Sequence, residues 1–156
     1  MTLLVSTLIS IVLDGRNNLN LPSIGYIRTV GVKAYWDPSL QNQTTQILWG
    51  TVYTGESYNV TLYLQSTSTM PTTLQLTTAN WTYTNINNTV APPGPADTTQ
   101  YMNLTWDYNN QTLDRNETIP ITLTLTTADT PDFVTYLINN NIKQFSMDIT
   151  IQANEV

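Results

Sequence analysis

Apolar and polar residues alternate along most of the chain with a period of two, the repeat of a β-strand with one face in a core and the other in water. Tyr58, Val60, Leu62 and Leu64 fall on one face, and Ser57, Asn59, Thr61, Tyr63 and Gln65 on the other. The same rhythm returns as Met102, Leu104, Trp106 and Tyr108, as Ile119, Ile121, Leu123 and Leu125, and as Phe145, Met147, Ile149 and Ile151. Cutting the chain at its Pro, Gly and Asn signals predicts seven strands: 24–36, 45–49, 57–65, 72–81, 100–108, 117–127 and 142–152. Seven short strands with no sustained helical period predict an all-β sandwich of the Ig-like or jelly-roll type. One helical turn is expected around Phe133 to Ile138, before the polar run Asn139-Asn140-Asn141. Trp36, in phase with Val30, Val32 and Ala34, and Trp106, in phase with Leu104 and Met102, are expected in the core.

Residues 1–13 stand apart. Leu3, Val5, Thr7, Ile9, Ile11 and Leu13 form one strongly apolar face, and a polar linker, residues 14–23, separates them from the domain at 24–156. A dozen apolar residues are too few to cross a bilayer as a helix, and Met1-Thr2 lacks the basic region that opens a secretory leader. The segment therefore reads as a strand that needs a groove, in its own sheet or in a neighbour's.

Composition narrows the chemistry. The 156 residues include no Cys and no His, which removes thiol nucleophiles, imidazole acid–base catalysis and nitrogen- or sulfur-ligated metals. Gly55-Glu56-Ser57-Tyr58-Asn59 only superficially resembles a nucleophile elbow, because the closing Gly is missing and the Ser begins a strand. No catalytic residue, cofactor site or metal ligand is assigned. The oxygen-rich cluster Asp107, Asn109, Asn110, Asp114, Asn116 and Glu117 matches no EF-hand spacing, and side-chain-capped turns account for the same residues. Lys33, opposite Val32 and Ala34, is poorly placed for a buried Lys–Asn crosslink. A net charge of −6 with five Lys and Arg leaves no basic stripe for nucleic acid.

Charged residues are 10% of the chain, so neutral Thr, Asn, Ser and Gln carry the polar surface. N-glycosylation acceptors stand at Asn42, Asn59, Asn80, Asn87, Asn103, Asn110 and Asn116, and a layer of sugar is one way to solubilise such a surface. Asn59 and Asn103 fall on polar strand faces and Asn42, Asn87, Asn110 and Asn116 in loops, while Asn80 sits at a strand end. Ala91-Pro92-Pro93-Gly94-Pro95 predicts a stiff, extended connection between sheets.

The run from Ile27 through Tyr35-Trp36-Asp37, then Ile47-Leu48-Trp49-Gly50-Thr51-Val52, Gly55-Glu56-Ser57, Asn59-Val60-Thr61, Leu104-Thr105-Trp106-Asp107-Tyr108 and 119–125, resembles archaeal secreted Ig-like proteins. Within that group it resembles the subunit of archaeal bundling pili, itself similar to the TasA biofilm-fibre proteins. That resemblance covers residues 24–151 and implies a secreted cell-surface glycoprotein that polymerises by donor-strand complementation. The N-terminal strand of one subunit would complete the sandwich of the next, and the open-ended homopolymer, free to bundle sideways, would serve cell adhesion. Two other readings are a carbohydrate-binding module, which needs two or more of Trp49, Trp81, Tyr83 and Tyr101 exposed in one plane, and a monomeric coat domain that tucks residues 3–13 into its own sheet.

Overall fold

The computed structural model describes residues 21–91 and 101–156. The apolar face Leu3, Val5, Thr7, Ile9, Ile11 and Leu13, the first part of the linker and the Pro92–Pro95 connection lie outside the described residues. Those described form a sandwich of two four-stranded sheets with one short helix. The strands are β1 (Leu21–Val30), β2 (Val32–Tyr35), β3 (Gln46–Val52), β4 (Ser57–Ser66), β5 (Thr72–Asn85), β6 (Met102–Trp106), β7 (Thr118–Thr127) and β8 (Ile142–Glu155), with helix α1 (Pro131–Asn139) between the last two. Sheet A runs β3-β1-β8-β5 and sheet B runs β2-β4-β7-β6.

The alternation predicts burial well where strands are straight. Leu62, Leu64, Ile121, Leu123, Leu125, Phe145, Met147, Ile149 and Ile151 are each at most 1% exposed and face each other across the sandwich. Non-directional burial of this kind, with backbone ladders on both sides, substitutes for the disulfides the chain cannot form.

Three expectations change. The stretch 24–36 is not one strand: the chain enters sheet A at Leu21, breaks at Gly31 with φ of 68°, and continues as β2 in sheet B. The left-handed residue shifts the inward set from odd to even positions, so Val30 is 50% exposed while Val32 and Ala34 are buried; Trp36 keeps their phase but lies past the end of β2 and is 41% exposed. Trp36 is thus a surface residue. Second, β5 runs past Trp81 to Asn85, because a bulge between Ala79 and Thr82, with Asn80 at φ of 53°, absorbs an extra residue. The bulge turns Trp81 onto the inner face, where its ring stacks 6.4 Å from Phe145. Third, the helical turn is a nine-residue helix: Thr130 Oγ1 accepts from the Phe133 amide, Pro131 opens the first turn, and Phe133, Val134, Tyr136 and Leu137 are buried.

Candidate strand-acceptor edge

The two sheet orders end at β5 and β6, and these strands flank the same side of the sandwich. At one end of that side, Thr72 and Leu113 exchange both backbone hydrogen bonds, and the Tyr108 hydroxyl accepts from the Leu74 amide at 3.1 Å while donating to the Gln111 carbonyl. At the other end the Tyr101 ring stacks 4.7 Å from Phe133, whose ring meets Tyr83 edge-on at 6.2 Å, and the Ala91 amide donates to the Tyr83 carbonyl. Between these clasps no described strand pairs with either edge.

The ladder phase shows which amides face the opening. On β6, the bonds Ala128 N–H to Tyr101 and Asp107 N–H to Thr122 place odd-numbered residues in bonded pairs with β7. Met102, Leu104 and Trp106 therefore direct their N–H and C=O groups away from β7, and no partner meets them among the described residues. On β5 the outward bonds of Thr72 and Leu74 fix the same phase for Leu76 and Thr78, likewise without described backbone partners. Half-buried Leu76, Trp81, Trp106 and Tyr108 line the slot above the buried Met102 and Leu104. The Trp106 and Tyr108 rings lie 5.1 Å apart, and Trp81 Nε1 donates to Thr78 Oγ1 at 3.3 Å. The chemistry on offer is a row of main-chain donors and acceptors at pleat spacing, with apolar pockets for alternate side chains.

A second, shorter open edge lies on β4, where β2 pairs only with residues 63–66. Its backbone groups at Ser57, Asn59 and Thr61 face away from β7, where no described strand pairs with them, and half-buried Tyr58 and Val60 lie beneath.

The remaining predicted residues are scattered. All seven sequon asparagines are exposed. Asn59 on β4 and Asn103 on β6 share the outer face of sheet B, two strands apart across Thr124 and Thr126, and Thr124 Oγ1 donates to Asn59 Oδ1 at 2.8 Å. Asn80 on the β5 bulge donates through Nδ2 to Asp148 Oδ2 at 2.7 Å. Asn42 lies between β2 and β3, Asn87 in the turn after β5, and Asn110 and Asn116, both at φ of 63°, in the β6–β7 connection. The acidic cluster in that connection caps backbone: Asp107 Oδ1 accepts from Thr122 N–H, Asn109 Oδ1 from Gln111 N–H, and Glu117 Oε2 from Asp114 N–H. Of the four aromatics proposed as a sugar platform, Trp49, Tyr83 and Tyr101 are buried and only Trp81 is partly exposed, so they form none. Ser57 opens β4 after a turn at Gly55, with its hydroxyl 3.2 Å from that of Thr126.

Four buried side-chain polar atoms, Trp49 Nε1, Ser66 Oγ, Thr72 Oγ1 and the Tyr83 hydroxyl, are enclosed without a hydrogen-bond partner among the described residues. Burial, with smaller contributions from the Tyr136 and Tyr101 phenols, pushes the Tyr83 phenol above its usual range, and burial also raises Tyr136. At the surface, the hydroxyl of Ser39 and the amides of Asn42 and Gln41 donate to the Asp37 carboxylate and hold it below the usual carboxylate range.

No protein-family model and no curated protein matches this chain. Among solved structures, the ASH / PapD-like domain of human CEP192 (PapD-like domain 7) is similar over 90% of this chain and 91% of that one, at 10% identity and a TM-score of 0.33.

Proposed function

We propose that this chain is a non-enzymatic structural subunit of an extracellular filament, joined to its neighbour by strand addition at the slot between β5 and β6. The observation that carries the reading is the match between a segment whose sequence alternates apolar and polar residues and a sheet edge that no described strand pairs. Residues 3–13 present alternating large apolar side chains, and the slot presents outward amides at Met102, Leu104 and Trp106 over half-buried Leu76, Trp81 and Trp106. Adding a strand there pairs the outward-directed backbone groups of β6 and buries apolar surface at roughly 25 cal/mol per Å². If the strand comes from the next copy, the contact is heterologous and propagates into an open fibre. The resemblance to bundling-pilus and TasA-like subunits points to the same mode of assembly and to a secreted location.

The test is negative-stain microscopy of the full chain beside three variants. Deleting residues 2–13 should leave a folded domain that makes no fibres. Ile9→Asp or Ile11→Asp should impair assembly far more than Ser10→Asp, since only the first two place a charge on the apolar face. Fibres from the truncated chain, or equal effects of the three substitutions, would refute donor-strand exchange.

A further inference from the structure

The two outer faces of the sandwich differ in a way the fold does not require. On sheet B, β4, β7 and β6 place Ser57, Asn59 and Thr61 beside Thr126, Thr124 and Thr122, with Asn103 and Thr105 beyond, a neutral polar lattice carrying two sequons. On sheet A, the outward positions include three large hydrophobic residues: Leu48 is 68% exposed, Val30 50% and Tyr26 48%. Ile24, cross-strand partner of Leu48, joins them half-buried. Around them the face is neutral and polar, with Ser146, Thr150, Gln152, Thr77 and Gln75 among its outward residues, and Arg28 and Asp148 stand as charges on adjacent central strands.

We infer that the outer face of sheet A is a contact surface for a second copy of this chain, packed face to face about a two-fold axis. The charges select the partner. Arg28 stands opposite Thr150, and Asp148 opposite Tyr26, so the two charges are diagonal neighbours on adjacent strands, about 7–8 Å apart. Among the described residues Arg28 has no ion pair, and Asp148 meets only the neutral Asn80 amide. A two-fold axis in the contact plane, crossing the midpoint between them, sets Arg28 of each copy over Asp148 of the other. Tyr26 and Thr77 both lie close to that axis. Elsewhere a chain of net charge −6 repels its copies, whereas this face is neutral overall.

Size sets the strength. Four strands about 4.8 Å apart and some five residue rows give roughly 500 Å² per copy, against roughly 800 Å² per partner for a stable complex. A single contact is weak. Resting on the filament reading above, identical faces repeated along two fibres act together, so lateral association follows polymerisation.

The chain has no cysteine, so one introduced thiol reports cleanly. Tyr26→Cys, treated as concentrated full-length protein with a bismaleimide spanning about 10 Å, the spacing of face-packed sheets, should give at least tenfold more cross-linked dimer than Thr61→Cys on the opposite sheet. In the Tyr26→Cys background, Arg28→Asp or Thr77→Asp should lower the yield severalfold, and combining Arg28→Asp with Asp148→Arg should restore it. Equal yields from the two thiol positions, or no effect of Arg28→Asp and Thr77→Asp, would overturn the proposal. Cross-linking without fibres would refute only the filament reading; dispersed fibres with no dimer in the Tyr26→Cys variant would refute only this one.

Discussion

Replacing Tyr83 with Phe should stabilise the protein, and the gain should grow with pH. The side chain is 3% exposed and its hydroxyl has no described partner, so the folded state bears the desolvation of that group without compensation. Such a group costs about 1–3 kcal/mol. The ring contacts survive the change: Phe133 at 6.2 Å and Tyr136 at 5.5 Å both meet Tyr83 edge-on, a geometry that needs no hydroxyl. The substitution should therefore raise unfolding free energy by about 1 kcal/mol at neutral pH, once loss of the oxygen's own packing is allowed for. The alkaline limb adds a sign test. Burial raises the folded-state pKa of Tyr83, so the native chain keeps a proton that the unfolded chain releases above a pKa near 10. Stability is unaffected by this group below that point and falls above it by about 1.4 kcal/mol per pH unit until the folded phenol ionises. Urea unfolding of both proteins from pH 7 to pH 11.5, followed by circular dichroism, should give curves that are parallel up to about pH 10 and then diverge in favour of Tyr83→Phe. Parallel curves throughout would mean that the phenol has a partner or reaches solvent, and the enclosure argument would fail.

Gly31→Ala should destabilise by about 1–3 kcal/mol in the same assay, since φ is 68° and the new Cβ would sit 3.0 Å from that of Ala153. Thr130→Ala should cost about 1 kcal/mol by uncapping α1, with Thr130→Ser recovering most of it. Acid should loosen the 37–42 loop selectively: the lowered pKa of Asp37 makes its contribution complete above the unfolded value of 3.8 and lost as pH falls through the folded value, so exchange protection at the Gln41 and Asn42 amides should vanish there while β-ladder amides stay protected. Intact mass of native protein should show sugar, with Asn59 and Asn103 occupied, and protein without it that stays dispersed would remove glycans as the solubilising layer.

The sandwich was legible because burial imposes a period of two on each straight strand, and β4, β6, β7 and, from Phe145 to Ile151, β8 keep that phase on their inner faces. Phase was lost where the backbone breaks its own rhythm. Gly31 and the Asn80 bulge each shift the inward set by one, which turned Val30 outward and carried β5 to Asn85, and Trp36 keeps the inward phase of Val32 and Ala34 but lies past the end of β2 at Tyr35. A Gly between two valines reads as a weak strand residue as easily as a turn, so only the pairing of β1 with sheet A and β2 with sheet B reveals its role. The slot between β5 and β6 was illegible for a different reason. It is defined by clasps between residues far apart in sequence, Thr72 with Leu113 and Leu74 with Tyr108, and by amides that every residue possesses. The sequons and the solitary apolar segment were visible because side-chain type alone marks them.

The central place of β1 in sheet A has a mechanical consequence. β1 lies between antiparallel β3 and parallel β8, with pairing to β8 running from Ser23 to Val30. Tension entering at Leu21 along the strand axis acts across the ladder bonds on both sides, which are roughly perpendicular or slanted to it. Those bonds must then fail together in shear, not open one after another from an end. A pull at right angles to the sheet edge would instead unzip them singly at far lower force. The domain is thus built to resist traction along its first strand, and constant-velocity pulling from a handle placed before Leu21 should show one high rupture peak where a handle at the edge strand β6 shows a low, extended one.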